Sequence, residues 1–139
     1  MKTLTLNIEK KWFDLIFSGE KKEEYRDIKN YWGNRLLDFK KEIEGGVFEE
    51  LLNEFKEIAP NSETIPNLLE HYECFFRKFN KVLFINGMKK KENSRRFEIE
   101  FKGIDIDYGL KKWGATPEKK YFVIKLGEIL SSQNCGLPF

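Results

Sequence analysis

The first 28 residues constrain the fold most, because their apolar periodicity changes twice over a short distance. Residues 2–8 alternate apolar and polar side chains, which predicts a half-buried strand. From residue 9 to residue 18 the apolar spacing becomes helical, and Gly19 follows as a helix-ending glycine. Residues 21–28 predict a second strand. If that strand belongs to a barrel, its charged residues cannot all be ordinary surface positions.

The start of this second strand carries the series G-x-K-x-x-E-x-R, with Gly19, Lys21, Glu24 and Arg26 at its defined positions. Strand residues alternate faces, so Glu24 and Arg26 are expected to point the same way. Lys21, at the bend just before the strand, can reach round to join them. Together they would form a polar site with acid, base and anion-binding capacity. The alternative is a salt-bridge network at a barrel mouth that serves structure alone.

The remainder of the chain predicts more strands around a helical segment. Residues 30–41 read as a helix, and residues 42–79 as a helical hairpin, with helices over 47–58 and 64–78, inserted into a β-rich domain. After Asn80 short strands return, ending with 121–126, and the tail from Ser131 is expected to be irregular. We therefore predict a single domain over residues 1–139 of the α+β (mixed) class: a small β-barrel with an early helix and an inserted helical hairpin.

Composition indicates a globular protein with an uneven charge distribution. Hydrophobic residues make up 40% and charged residues 35% of the 139 residues. Residues 40–79 carry nine acids and five bases, whereas residues 80–139 carry seven acids and twelve bases, so the C-terminal half is the candidate anion-facing surface. Cys74, Cys135 and the single His71 lack metal or disulfide spacing, so we expect no metal and no cofactor. With no apolar leader and no run of eighteen apolar residues, we expect a cytoplasmic protein without membrane contact.

These features resemble an ASCH domain, a member of the PUA-like superfamily of small β-barrels. The resemblance is carried by the strand–helix opening over residues 4–18, by the complete G-x-K-x-x-E-x-R motif, and by the closing segment 121–129. It covers about residues 2–36 and 80–130, and segment 42–79 has no counterpart in it. The resemblance implies a PUA-like barrel with a cleft into which Lys21, Glu24 and Arg26 project. Relatives are suspected of RNA binding, some resemble amidohydrolases acting on acetylated cytidine nucleosides, and others are reported as ribonucleases.

The residue types of the motif allow both binding and chemistry. Lys21 could act as a base or nucleophile if desolvated, or as an electrostatic clamp beside Glu24. Glu24 could be a general base or pair with a nucleobase amino group, and Arg26 can hold a phosphate or carboxylate bidentately. Four further residues are predicted to contact a ligand, namely Tyr31, Asn86, Arg95 and Trp113.

Positive charge interleaved with aromatic rings favours single-stranded RNA or an extruded base as the partner. The basic runs are Lys89–Lys91, residues 95–96 and residues 111–112. Trp32 is expected in the core, Trp113 is equally suited to exposure or packing, and Asn86 could line the cleft mouth or shape a turn. The first hypothesis is therefore an RNA- or nucleotide-binding module.

Two alternatives to binding stay open. The first is a hydrolase acting on a modified nucleoside or an RNA backbone, with Lys21 and Glu24 as reacting groups. No hydroxyl stands three residues after Lys21, where the amidohydrolase chemistry would need one, and Ser94 and Thr116 are the nearest candidates. In the second alternative, segment 42–79 mediates contacts with a protein partner or a second copy of the chain.

Overall fold

A computed structural model of the chain describes residues 2–60, 63–87 and 93–135. Within these residues the protein is mixed α+β, with four α-helices and a five-stranded sheet that curls into half a barrel. The predicted α+β class is thereby confirmed, and in place of the predicted barrel the described residues form a curled half-barrel sheet. The basic run Lys89–Lys91 lies outside the described residues.

The sheet is mixed and its strand order differs from the order along the chain. The order is β1-β5-β6-β7-β2, with β1 and β5 parallel and β5 and β6 antiparallel, while β3 and β4 form a separate antiparallel pair. The elements are β1 (Thr3–Asn7), α1 (Lys10–Phe17), β2 (Glu23–Asp27), α2 (Asn30–Leu36), β3 (Leu37–Phe39), α3 (Gly45–Glu57), α4 (Thr64–His71), β4 (Cys74–Phe76), β5 (Lys81–Asn86), β6 (Arg95–Tyr108), the 3-10 helix η1 (Lys111–Trp113) and β7 (Lys120–Gln133).

Three predicted element boundaries are wrong. The helix predicted over 30–41 ends at Leu36, and the helix predicted over 64–78 ends at His71. The segment that follows the first helix is β3, and it pairs with β4, the segment that follows the second helix. A short apolar run suits a strand as well as a helix, and a tertiary partner decides between the two. β7 extends to Gln133, beyond the irregular tail predicted from Ser131, and the Ser131 hydroxyl donates a hydrogen bond to Glu98 on β6.

The chain divides into two compact units. The first comprises Met1–Glu24, Lys78–Gly103 and Ile124–Phe139, and the second comprises Tyr25–Arg77 and Ile104–Val123. Each unit combines segments that are far apart in the sequence, so neither corresponds to a continuous half of the chain.

The core of the first unit lies between α1 and strands β5 and β6. Phe13 and Phe17 occupy one face of α1 at i, i+4 spacing, and both rings contact Phe97 of β6, with centroids 4.8 and 5.2 Å away. Across the same strand pair, Lys81 and Glu98 form an ion pair at 2.6 Å. The hydrogen bond from Lys81 holds the pKa of Glu98 below its usual range.

The core of the second unit includes α3, which lies in the segment predicted as an insertion. Phe55 of α3 packs edge-on against Phe122 of β7, with ring centroids 6.1 Å apart. α2 approaches α3 closely at Gly33, where a β-carbon would lie 2.7 Å from Cζ of Phe48. α3 is therefore a structural part of its unit, held by aromatic packing to strand residues distant in sequence.

Candidate functional site

Lys21 and Glu24 form a buried ion pair in the first unit. α1 ends before Gly19, whose φ of 86° lies in the left-handed region, and the amide of Lys21 then donates to the carbonyl of Leu15. From this bend the Lys21 ammonium reaches Oε1 of Glu24 and the carbonyl oxygen of Glu23, each at 2.6 Å. The predicted contact between Lys21 and Glu24 is therefore present. The side chains of Lys21 and Glu24 are only 1% and 9% exposed.

The burial of this pair determines what it can do. Charged groups removed from water are retained when their partners are well placed, and removal of one partner alone typically costs about 3–5 kcal/mol. The Lys21 ammonium uses its donors on its own chain, and it lies 5.8 Å from the ring centroid of Trp12. The pair consequently anchors the bend after α1 to the first residues of β2.

Arg95, a predicted ligand contact, is the centre of a second polar cluster in the first unit. Its Nη1 lies 2.8 Å from Oδ1 of Asp14, its Nη2 donates to Oδ1 of Asn86 at 3.0 Å, and its guanidinium stands 4.6 Å from the ring centroid of Phe13. Hydrogen bonds from Lys10 and then from Arg95 hold the pKa of Asp14 below its usual range. Arg95 therefore joins β6 to α1, and its charge is matched by a carboxylate.

Asn86, also predicted at the site, uses its amide group to join strands. Its Nδ2 donates to the carbonyl of Ile8 at 3.0 Å, while its Oδ1 accepts the bond from Arg95. Asn86 and Arg95 are directly opposite each other in the register of β5 and β6. The structure thus brings these two predicted residues together, with their polar groups engaged in the fold.

Arg26, the last residue of the motif, belongs to the second unit and lies over an aromatic ring. Its guanidinium lies 4.7 Å from the ring centroid of Trp32, and Arg35 lies 5.1 Å from the same ring and 5.8 Å from that of Tyr31. The Tyr31 and Trp32 rings meet edge to face at 4.9 Å. We call these four residues the guanidinium–aromatic cluster. Tyr31 is 58% exposed, so one ring of the cluster is open to solvent.

Helical spacing explains how α2 builds most of this cluster. Arg35 follows Tyr31 by four residues and Trp32 by three, which places all three side chains on neighbouring positions of the helix surface. Trp32, expected in the core, is half-buried beneath the two guanidinium groups. Arg35 was absent from the predicted site, although its spacing from two aromatic residues was a signal that could have identified it.

The remaining predicted residues are dispersed. Trp113 is half-buried in η1, and the ammonium of Lys112 lies 5.2 Å from its ring centroid. Ser94 is buried in the first unit and accepts a hydrogen bond from Nη2 of Arg96 at 2.7 Å, whereas Thr116 is exposed in the second unit. The two candidate hydroxyls thus belong to different units.

Within residues 2–60, 63–87 and 93–135, no group of three or more histidine, cysteine, aspartate or glutamate side chains is placed to hold a metal ion. The same ranges contain no helix long and apolar enough to cross a membrane. Cys74 is buried, and desolvation raises the pKa of its thiol to about 11, so it is poorly suited to nucleophilic chemistry near neutral pH.

Comparison of the chain with protein-family models, with curated proteins and with solved structures gave no match. The resemblance to ASCH domains therefore stays a prediction, and function is inferred from the residues and their geometry.

Proposed function

We propose that this protein is an ASCH-type, PUA-like module that binds RNA or a nucleotide-like ligand, with a base stacked on Tyr31. The observation that carries the proposal is the guanidinium–aromatic cluster, which combines an exposed ring with two arginine side chains in one place. The motif arginine, Arg26, is a member of this cluster.

The chemistry of the cluster suits a nucleotide. A base stacked on an aromatic side chain contributes about 1–3 kcal/mol, and stacking tolerates any base because every base has a π-face. Guanidinium groups beside the ring can pair with a phosphate through two parallel hydrogen bonds. Stacked against Trp32, the planar groups of Arg26 and Arg35 have less conformational freedom to lose when a ligand binds.

The hydrolase alternative, with Lys21 and Glu24 as reacting groups, is less favoured by the geometry than binding. A base or nucleophile must come within hydrogen-bond distance of the substrate atom it attacks or deprotonates. The Lys21 side chain is 1% exposed and its ammonium is bonded to Glu24 and to the carbonyl of Glu23. In the binding hypothesis this pair supports the start of β2, and no reaction is required of it.

The test is fluorescence anisotropy with a labelled single-stranded RNA of about ten nucleotides, within the range that small binding domains cover. Tyr31→Ala is expected to weaken binding about 5- to 150-fold, the equivalent of the stacking energy of one base. Tyr31→Phe, which keeps the ring, should bind like the unaltered protein. Phe75→Ala is the matched control, because Phe75 is an aromatic residue of the same unit that is 44% exposed and lies outside the cluster.

Two results would overturn this proposal. One is undetectable affinity of the unaltered protein for the RNA at low salt, where phosphate contacts are strongest. The other is equal loss of affinity in Tyr31→Ala and Phe75→Ala, which would remove the specific role of the exposed ring. Incubation with acetylated cytidine addresses the alternative: product release that is lost in the double variant Lys21→Met/Glu24→Leu, while its fold is retained, would favour the hydrolase.

A further inference from the structure

Two cavities of the second unit adjoin each other. The first, of about 510 Å³, is lined by residues that include Lys29, Tyr31, Asn53 and Lys56. The second, of about 460 Å³, is also lined by Lys29 and Lys56 and adds further residues from the segment before β7. The two cavities share Ile28, Lys29 and Lys56 as lining residues, so they lie side by side, and we call the pair the lysine groove. The exposed Tyr31 lines the first cavity only.

Positive charge is concentrated in this groove although the unit as a whole is acidic. Residues 25–77 and 104–123 contain fourteen acids and eleven bases, and four of those bases line the groove, namely Lys29, Lys56, Lys119 and Lys120. They come from the loop before α2, the last turn of α3 and the segment entering β7. Lysines from three separate elements of a net-negative unit thus meet at one surface depression.

Two of the four lysines already have a partner on the protein and two are available to a ligand. Lys119 forms an ion pair with Asp27 at 2.9 Å, and the ammonium of Lys120 donates to the carbonyl of Ile58. Within the part of the chain that the structure describes, no carboxylate forms an ion pair with Lys29 or Lys56, and both are exposed.

Two more carboxylates line the groove, and neither of them neutralises these lysines. Glu49 lies in the first cavity and Glu118 in the second, and no ion pair links either one to Lys29 or Lys56 among the described residues. The residues shared by both cavities therefore include two lysines that form no ion pair within the described part of the chain.

We infer that the lysine groove binds the phosphate backbone of a single-stranded nucleic acid whose base stacks on Tyr31. This inference rests on the proposed function and specifies its ligand as a strand of several nucleotides. Each cavity alone has the volume of a small-ligand site, so the two in succession accommodate more than one nucleotide. Lys29 and Lys56, in the shared section, are the phosphate contacts next to the stacked base.

The inference gives segment 42–79 a role in recognition. Lys56 is in the last turn of α3, and Asn53 of the same helix lines the first cavity. This helix has no counterpart in the resemblance drawn from the sequence, and aromatic packing of Phe55 on Phe122 holds it in place. α3 therefore forms one wall of a binding groove, with Phe55 in the core and Lys56 toward the ligand.

The experiment measures RNA affinity at several salt concentrations for Lys29→Gln/Lys56→Gln. The slope of log Kobs against log salt concentration is negative, and each phosphate contact on a single strand adds about 0.7 to its magnitude. Removal of two contacts should therefore reduce that magnitude by about 1.4. Lys40→Gln/Lys78→Gln is the matched control, since both lysines are exposed and line neither cavity. The control should retain the slope of the unaltered protein.

The outcomes separate this inference from the proposed function. In one outcome the protein binds RNA, Tyr31→Ala weakens the binding, and Lys29→Gln/Lys56→Gln keeps the salt dependence of the unaltered protein. The groove assignment is then wrong and the proposed function stands. If a nucleoside monophosphate binds as tightly as the ten-nucleotide strand, the assignment of a multi-nucleotide ligand is also wrong. If the protein binds no RNA at all, both the proposed function and the groove assignment fail.

Discussion

Replacement of Lys21 by methionine tests whether its ion pair with Glu24 anchors the fold. Methionine keeps most of the volume of the lysine stem and removes the ammonium that lies 2.6 Å from Glu24 Oε1. The Glu24 side chain, 9% exposed, would then lose its ammonium partner in a site with little access to water. The double variant Lys21→Met/Glu24→Leu removes both charges and leaves an apolar pair.

The expected magnitudes follow from the burial of the pair. Loss of one partner of a buried ion pair costs about 3–5 kcal/mol, while replacement of both partners by apolar residues is neutral or stabilising. A chain of 139 residues has an unfolding entropy of roughly 0.3 kcal/mol/K, so Lys21→Met should lower Tm by about 10–17 °C. The loss is a large part of a total stability of about 5–15 kcal/mol.

The assay is urea denaturation followed by circular dichroism, with the midpoint and slope fitted separately. Lys22→Met is the matched control, because Lys22 is the exposed neighbour and should change the free energy of unfolding by less than about 0.5 kcal/mol. A loss below about 1 kcal/mol in Lys21→Met, or a double variant as unstable as the single one, would refute the anchoring role. A stable double variant that still binds RNA would show that the pair acts through the fold.

Three further predictions concern packing, thiol reactivity and pH. Gly33→Ala should cost about 1–3 kcal/mol in urea denaturation because its β-carbon would overlap a ring of α3, whereas Gly46→Ala, with open space around it, should not destabilise. Cys74, buried and with a pKa of about 11, should react with a thiol reagent much more slowly than Cys135, and equal rates would contradict its burial. The lowered pKa of Glu98 means that its pairing stabilises the fold above the unfolded-state pKa and is lost as pH falls through the lower folded-state value. Glu98→Gln should therefore lower the urea midpoint at pH 7 but not at about pH 2, and a deficit of equal size at both pH values would contradict this assignment.

Local features of the fold could be predicted because they depend on residues close in sequence. The alternation in β1, the helical spacing in α1 and the left-handed Gly19 each follow from short-range sterics. The contact between Lys21 and Glu24 belongs to this class, since only two residues separate them and a bend precedes the strand.

Features that depend on tertiary partners were beyond prediction. The runs 37–39 and 74–76 carry apolar residues that suit a helix or a strand, and only their mutual pairing made them β3 and β4. Likewise, the residue type of Arg95 indicated an anion contact, yet its position opposite Asn86 and near Asp14 gave it partners within the protein.

Local sequence is therefore enough to predict the order of the N-terminal elements, the helix-ending glycine and the charged residues at the start of β2. Tertiary packing sets which of those charged side chains are buried and which are accessible to a ligand. Lys21 is a buried anchor, and Arg26 lies over the ring of Trp32. Lys56, on a helix without a counterpart in the family resemblance, lines the same cavity as Lys29. The physical reason is that burial and convergence depend on which faces of distant elements pack together, and local periodicity carries no information about that choice.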